Sequence, residues 1–124
     1  MSLISRIRRC QAGGAAVEYA LILPVFIILM VGGLSMGSVS MAANSLHYAV
    51  EDAARCAAVK TTVCSDSTKT TTYAQGRYSG PQISPQFSYS TAGCGHTVTA
   101  TANYPVGLAV TTVNVPLSAS ACYP

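Results

Sequence analysis

The feature that most constrains this chain is a long uncharged segment near its N-terminus. No charged side chain occurs from Tyr19 to Leu46, and within that stretch Ala20–Gly37 is almost entirely apolar. About 18 apolar residues are enough for a helix to cross the hydrocarbon core of a bilayer. Three arginines precede the segment and the next basic residue is Arg55, so the positive-inside rule places the N-terminus in the cytoplasm and the C-terminal part outside. The sequence predicts a membrane-spanning helix with N-in, C-out topology.

The composition argues against a soluble enzyme and against a nucleic-acid-binding protein. Charged residues make up 9% of the chain, whereas about 25% is usual for a soluble globular protein. Beyond Arg9 the four basic residues are balanced by four acidic ones, so no basic stripe is available for nucleic acid. With 2 His and 4 acidic residues, acid–base or metal chemistry has few candidates. We expect no catalytic residue, no cofactor, no metal site and no nucleic-acid partner.

A cleavable secretory signal is the alternative interpretation of the apolar segment. Residues 40–42 (Ser-Met-Ala) have the small-residue spacing that signal peptidase prefers. However, the apolar segment exceeds the usual length of about 7–15 residues, and the stretch before it is long and contains Glu18. A retained membrane helix is therefore favoured.

Glu18 is unusual, because a carboxylate carried towards the bilayer centre costs about 2.5–3.5 kcal/mol. It lies five residues after Gly13, directly before Tyr19, and is followed by a Leu-Pro pair at Pro24 within the apolar segment. This arrangement of basic leader, glycine, Glu-aromatic pair and apolar helix resembles the class III signal of type IVb pilins. More narrowly, AAVEYALILPVFIILMVGG is similar to the N-terminal signature of the TadE-like family of bacterial tight-adherence systems, in which Phe is commoner than Tyr at the position of Tyr19. A run frequent in that family also occurs at Asp52–Arg55, so the resemblance covers roughly residues 9–60.

The resemblance implies processing and an assembly role. A prepilin peptidase would cut after Gly13, with a cut after Gly14 as the alternative, and Glu18 would become the fifth residue of the mature chain. The new α-amino group on one subunit would then neutralise Glu18 of a neighbour and set the axial register, with Tyr19 beside it. The implied partners are the prepilin peptidase, other pilin and pilin-like subunits, the inner-membrane assembly platform and membrane lipid.

The predicted fold class is α+β and pilin-like, with a long N-terminal helix packed against a small antiparallel sheet. We expect residues 1–13 to be the leader peptide. Residues 14–59 are predicted to form the long helix, whose first half spans the membrane and whose second half is a stem. Residues 60–124 are predicted to form a small extracytoplasmic β-rich head with disulfides. Pro24 removes one backbone donor and predicts a possible kink, which a helix inside lipid tolerates. In the stem, apolar residues recur at helical spacing and predict the packed face. They are Leu46, Ala49, Val50, Ala53, Ala54 and Ala57.

Three or four short strands are predicted for the head. Residues 61–81 are rich in Thr, Ser and Gly and are interpreted as loop with at most one short strand. Apolar and polar residues alternate in His96–Tyr104 and again in Val113–Ala121, so both segments are predicted strands. Pro116 lies inside the second segment, which predicts that this strand lies at an edge of the sheet or carries a bulge. Gln86–Ser90 is the third candidate strand.

Four of the five cysteines lie on the side that the topology places outside, where thiols oxidise. Cleavage after Gly13 would remove the fifth, Cys10, and leave an even number. Three pairings of four cysteines are possible. We favour Cys56 with Cys64, as a short loop at the end of the stem, and Cys94 with Cys122, which ties a strand start to the C-terminus. A zinc site at Cys94 and His96 is the weaker alternative, because the paired short spacings of zinc sites are lacking.

One pattern looks catalytic but lacks the structural context that catalysis requires. Residues 33–37 match the G-x-S-x-G pattern of hydrolases, and Asp52 and His96 follow in the Ser, Asp, His chain order that such hydrolases use. However, the pattern lies inside an apolar helix, and the chain is too short for an α/β-hydrolase. Close helix packing at Gly33 and Gly37 is the better interpretation, with tolerated glycines as the alternative. His47 and His96 are predicted to be solvated surface residues.

The sequence therefore predicts a non-enzymatic minor pilin or pseudopilin of a tight-adherence type IVb pilus. It would be inserted in the bacterial inner membrane, processed, and then found in the pilus, the periplasm or at the cell surface, where it takes part in assembly and adhesion. The alternatives are a major pilin, against which the length argues, and an uncleaved bitopic membrane protein with an extracytoplasmic binding domain.

Overall fold

The computed structural model describes residues 12–108 and 111–124, which form two helices and three strands. The predicted leader, including Cys10, lies almost wholly outside the described residues. The chain divides after Met36 into two compact units, the second of which is Gly37–Pro124. The α+β class predicted from the sequence is confirmed, because a long apolar helix precedes a small antiparallel sheet.

Helix α1 spans Ala12–Val59, a length of 48 residues, and continues through Pro24. The predicted helix covered residues 14–59, so α1 ends where predicted and begins two residues earlier. From Ala42 onward one face of α1 is buried, and this face contains every stem residue predicted from helical spacing. His47, Glu51 and Arg55, which are spaced four apart, are exposed. The amphipathic stem is therefore confirmed.

Helix α2 spans Ser67–Arg77, where the sequence analysis predicted a loop, so that prediction was wrong. Asp66 caps it, because its Oδ1 accepts a hydrogen bond from the Lys69 backbone N–H at 2.8 Å. Thr70 and Ala74, one helical turn apart, form its buried face. Threonine has low helix propensity, and only two buried positions mark the core-facing side of α2. The segment therefore shows no clear helical periodicity of apolar residues.

The sheet contains three antiparallel strands in the order β1-β2-β3, namely β1 (Gln86–Ser90), β2 (His96–Leu108) and β3 (Thr111–Tyr123). All three predicted strands exist, and β2 runs four residues past its predicted end. Pro116 lies in β3, which is an edge strand as predicted. Pro105 lies in β2 beyond Thr101, the last residue that pairs with β1, so the chain is locally an edge there and tolerates proline.

The core of the second unit lies between α1, α2 and one face of the sheet. Its largest fully buried side chains are Leu46 and Val50 from α1, Thr70 from α2 and Val98 from β2. Alanines such as Ala53 and Ala100 fill the space between them, and their small size lets the elements approach closely. The turn from β1 to β2 needs glycine at Gly95, where φ is 134° and a Cβ would lie 2.7 Å from the Tyr123 carbonyl oxygen.

Candidate functional site

The first unit offers an uncovered apolar helix surface. All side chains from Gly13 to Leu34 are exposed, large hydrophobic ones among them. The most apolar window of α1 has a mean hydropathy of 2.3, so by length and composition the helix could cross a membrane. An apolar surface this extensive indicates contact with lipid or with other proteins. The candidate site is therefore an association surface.

Glu18 and Tyr19 lie on this exposed surface near the start of α1. Both side chains are exposed, Tyr19 at 74%. Because successive helical residues are about 100° apart, the two side chains point in different directions around the helix. The structure describes this one chain, so the predicted pairing of Glu18 with a neighbouring amine stays a prediction.

Gly33 and Gly37 lie one turn apart on the same side of α1. A Cβ added to either glycine would meet no atom within 4 Å, so both are free to face another helix. Ser35, the supposed nucleophile between them, donates its hydroxyl to the Val31 carbonyl oxygen at 2.9 Å. That geometry is an ordinary helical serine, and no strand–turn–helix elbow surrounds it.

In the second unit, a polar cluster of Asp52, Tyr73 and Arg77 joins α1 to α2. Arg77 Nε lies 2.8 Å from Asp52 Oδ2, and Arg77 Nη2 donates to Tyr73 Oη at 2.8 Å. Tyr73 Oη in turn donates to Asp52 Oδ2 at 3.1 Å. The hydrogen bond to Tyr73, followed by the nearby Asp52 carboxylate, raises the pKa of Arg77. Asp52 is thus a structural residue of the stem that holds α2 against α1.

From the sequence, Asp52 was named in a run frequent in the TadE-like family and in a misleading hydrolase-like order, and this cluster was not predicted. Predicting it requires knowing that α2 exists, since Tyr73 and Arg77 come together only at helical i,i+4 spacing.

The four cysteines in the described part of the chain lie at disulfide distance in two pairs, which are the pairs favoured from the sequence. Cys56 at the end of α1 and Cys64 before α2 have Cα atoms 5.8 Å apart and are both buried. Cys94 and Cys122 have Cα atoms 6.3 Å apart, and both are exposed. Cys94 therefore has a sulfur partner. Among the described residues no group of three or more His, Cys, Asp and Glu side chains is placed to hold a metal.

His96 was predicted to be a solvated surface residue, but the structure gives it a side-chain partner. Its Nδ1 lies 2.6 Å from Tyr89 Oη across the β1–β2 pair, and the side chain is half-buried. His47 is exposed, as expected.

A family model described as TadE-like protein matches residues 13–55. The match confirms the TadE-like resemblance. It covers α1 nearly to its end, from the candidate cleavage site to Arg55, and stops before α2 and the sheet. The family is a structural, non-enzymatic and membrane-associated kind of protein, and the match suggests involvement in tight-adherence pilus systems. Neither a curated protein nor a solved structure matches the chain.

Proposed function

We propose that this chain is a minor pilin or pseudopilin of a tight-adherence type IVb pilus system. Its apolar helix inserts in the bacterial inner membrane with the head outside, and its precursor is cut by a prepilin peptidase. The observation that carries the proposal is the fully exposed apolar helix of the first unit, with Glu18 near its start, within the region matched by the TadE-like model.

The chemistry of the helix start explains how such a subunit assembles. Cleavage after Gly13 removes the leader arginines that hold the helix in its membrane orientation, and it creates an α-amino group on Gly14. An amine and a carboxylate that are both unpaired among apolar helices cost several kcal/mol each, so their pairing between subunits is strongly favoured. The pairing fixes the axial register between neighbouring helices, while Gly33 and Gly37 allow close approach.

The first test is processing. Intact-mass analysis of protein from the membrane fraction should find a chain that begins at Gly14, and Gly13→Ala should leave the full-length form in the membrane. A wild-type chain that begins at Met1 would favour an uncleaved bitopic protein, and one that begins at Ala43 would show an ordinary secretory signal.

The second test separates assembly from insertion. Glu18→Gln should be processed normally and reach normal membrane levels, but it should fail to enter the pilus or its base. The matched control is Glu51→Gln, which removes the same charge from an exposed stem position of the same helix and should assemble normally. Assembly of Glu18→Gln at the wild-type level would refute the pairing. Recovery of this chain as the bulk component of purified filaments would make it a major pilin.

A further inference from the structure

The Cys94–Cys122 pair is the more open of the two disulfides in the described part of the chain. Both of its cysteines are exposed, whereas Cys56 and Cys64 are only 3% and 4% exposed. Thiol–disulfide exchange requires an attacking thiolate to reach one of the two bonded sulfur atoms. The exposed pair is therefore the one that a thiolate from outside the chain can reach without local unfolding.

Cys94 lies in the connection between β1 and β2, where its chain neighbours are small. It is flanked by Gly93 and Gly95, whose φ angles of 84° and 134° are values that favour glycine. The residue before them, Ala92, is exposed. None of these three neighbours carries a side chain larger than a methyl group, so they leave room for a bulky thiol to approach the Cys94 sulfur.

Cys122 has a different setting, because it lies within β3 and pairs with Thr97 of β2. The Thr97 hydroxyl donates a hydrogen bond to Cys122 Sγ at 3.0 Å. Neutral sulfur is a weak acceptor, whereas hydrogen bonds to ionised groups are roughly twice as strong as those between neutral groups. The hydroxyl therefore stabilises Cys122 more as a departing thiolate than as part of a disulfide.

Cys122 also lines a cleft against the stem. Three charged side chains line this cleft with it, namely Glu51, Asp52 and Arg55. Asp52 is paired with Arg77, so the two charges that remain are opposite in sign and add little net charge near the sulfur. In the described part of the chain, the specific donor to Cys122 Sγ is thus the Thr97 hydroxyl.

We propose that Cys94–Cys122 is a thiol–disulfide exchange site that accepts a cysteine thiolate from another protein. The incoming thiolate attacks Cys94 Sγ and forms a new S–S bond there, while the bond from Cys94 to Cys122 breaks. The electron pair of that bond stays on Cys122 Sγ, which leaves as a thiolate and accepts the Thr97 hydrogen bond. One disulfide replaces another, so the step needs no separate oxidant or reductant. The product is a covalent link from Cys94 to the partner protein.

The experiment measures which sulfur takes up the thiol. The full-length chain carrying Cys10→Ser, which removes the fifth cysteine, is purified in its oxidised form in detergent. It is mixed either with 2-mercaptoethanol, a small uncharged thiol, or with a thioredoxin variant that keeps only its attacking cysteine. Rapid alkylation stops the exchange, and peptide mapping by mass spectrometry locates the mixed disulfide and the alkylated cysteine.

Variants of β2 test the role of the hydroxyl. Thr97→Val removes the hydroxyl and keeps the shape of the side chain, while Thr97→Ser keeps the hydroxyl. The matched control is Thr99→Val, because Thr99 lies on the same face of β2 and its hydroxyl is 3.3 Å from Ser120 Oγ rather than beside a sulfur. Circular dichroism checks that each variant keeps its strands.

With both thiols, the mixed disulfide should form on Cys94 and Cys122 should be alkylated, while Cys56 and Cys64 stay paired. Thr97→Val should slow the exchange roughly threefold and shift the product towards an equal split between the two sulfurs. Thr97→Ser should restore the wild-type result, and Thr99→Val should match it.

Three results would overturn the proposal. The first is a mixed disulfide mainly on Cys122, or equally on both sulfurs, in the wild-type sequence at position 97. The second is reaction with 2-mercaptoethanol but not with thioredoxin, because a protein thiol would then lack access to the site. The third is an unchanged rate and product in Thr97→Val, which would show that the hydroxyl does not assist the departure of Cys122.

Discussion

The Nε atom of Arg77 lies 2.8 Å from Oδ2 of Asp52, which joins the end of α2 to the stem helix α1. The guanidinium also lies over the Tyr73 ring, 5.0 Å from its centroid. Asp52 is half-buried, whereas Arg77 is exposed. The pair is therefore partly screened by solvent, and its role is to fix the position of α2 on α1.

Asp52→Asn should loosen α2 while leaving the fold intact. The amide keeps an acceptor for Tyr73 but removes the charge facing Arg77, so amide hydrogen exchange in Ser67–Arg77 should accelerate modestly at low salt. The difference from wild type should shrink at high salt, because screening weakens the partly exposed pair. Arg55→Ala is the control, since Arg55 is an exposed charge on the same helix, and exchange in α2 should not change. An effect of Asp52→Asn that is independent of salt would contradict the ionic explanation.

Asp66→Ala should destabilise α2 by loss of its cap. The Asp66 Oδ1 atom accepts a hydrogen bond from the Lys69 backbone N–H. Losing such a cap costs about 1 kcal/mol of helix stability, so amide hydrogen exchange in α2 should become roughly fivefold faster. Asp66→Asn retains a good capping oxygen and should behave nearly as wild type. Lys69→Ala removes an exposed 3.9 Å ion pair with Asp66 and an exposed hydrogen bond from Nζ to Ser65 Oγ. It keeps the backbone N–H that Asp66 caps, and it should change little. If Asn were as damaging as Ala, charge rather than capping would be the cause.

The two cysteine pairs should differ in their resistance to reduction. Cys56 and Cys64 are 3% and 4% exposed, whereas Cys94 and Cys122 are both exposed. The native mature protein should show no free thiol. With increasing phosphine reductant, Cys94 and Cys122 should become alkylated first, as peptide mapping can establish. In a Cys94→Ser, Cys122→Ser variant the remaining pair should stay resistant. Earlier reduction of Cys56–Cys64 would show that the head opens before its exposed bond reacts.

Tyr78 should make the head less stable at alkaline pH. Burial, with a smaller contribution from Tyr104, raises the pKa of Tyr78, and its hydroxyl donates to the Pro81 carbonyl oxygen at 2.6 Å. The folded state therefore retains this proton more strongly than the unfolded state. Stability is unaffected below the usual tyrosine pKa of about 10 and falls as pH rises above it.

Denaturant unfolding of the head, followed by circular dichroism across this pH range, measures the loss. Tyr78→Phe should start about 1 kcal/mol less stable through the lost hydrogen bond, but it should lose less stability on alkalinisation. An equal loss in both proteins would assign the effect to other tyrosines.

The long helix and the strands follow from local patterns that the sequence displays directly. A run of apolar residues without charge permits a helix from Ala12 onward, and strict alternation in His96–Tyr104 indicates a strand with one face buried. Both patterns extend over many residues, so they do not depend on what packs against them. The stem face from Leu46 to Ala57 was predictable for the same reason.

Helix α2 and the side-chain pairs across elements were not predictable in that way. Ser67–Arg77 has weak intrinsic helix propensity, and its conformation depends on the Asp66 cap and on burial of Thr70 and Ala74 against α1 and the sheet. The partnership of His96 with Tyr89 likewise exists only because the β1–β2 register brings the two rings together.

The sequence by itself determined that a long apolar helix with Glu18 near its start precedes a small uncharged sheet, because periodicity and charge are properties of neighbouring residues. Tertiary structure decided which side chains meet. Asp52 contacts Arg77 and Tyr73, and one cysteine pair is buried while the other is exposed. Those outcomes depend on contacts between residues far apart in the chain, which no local pattern encodes.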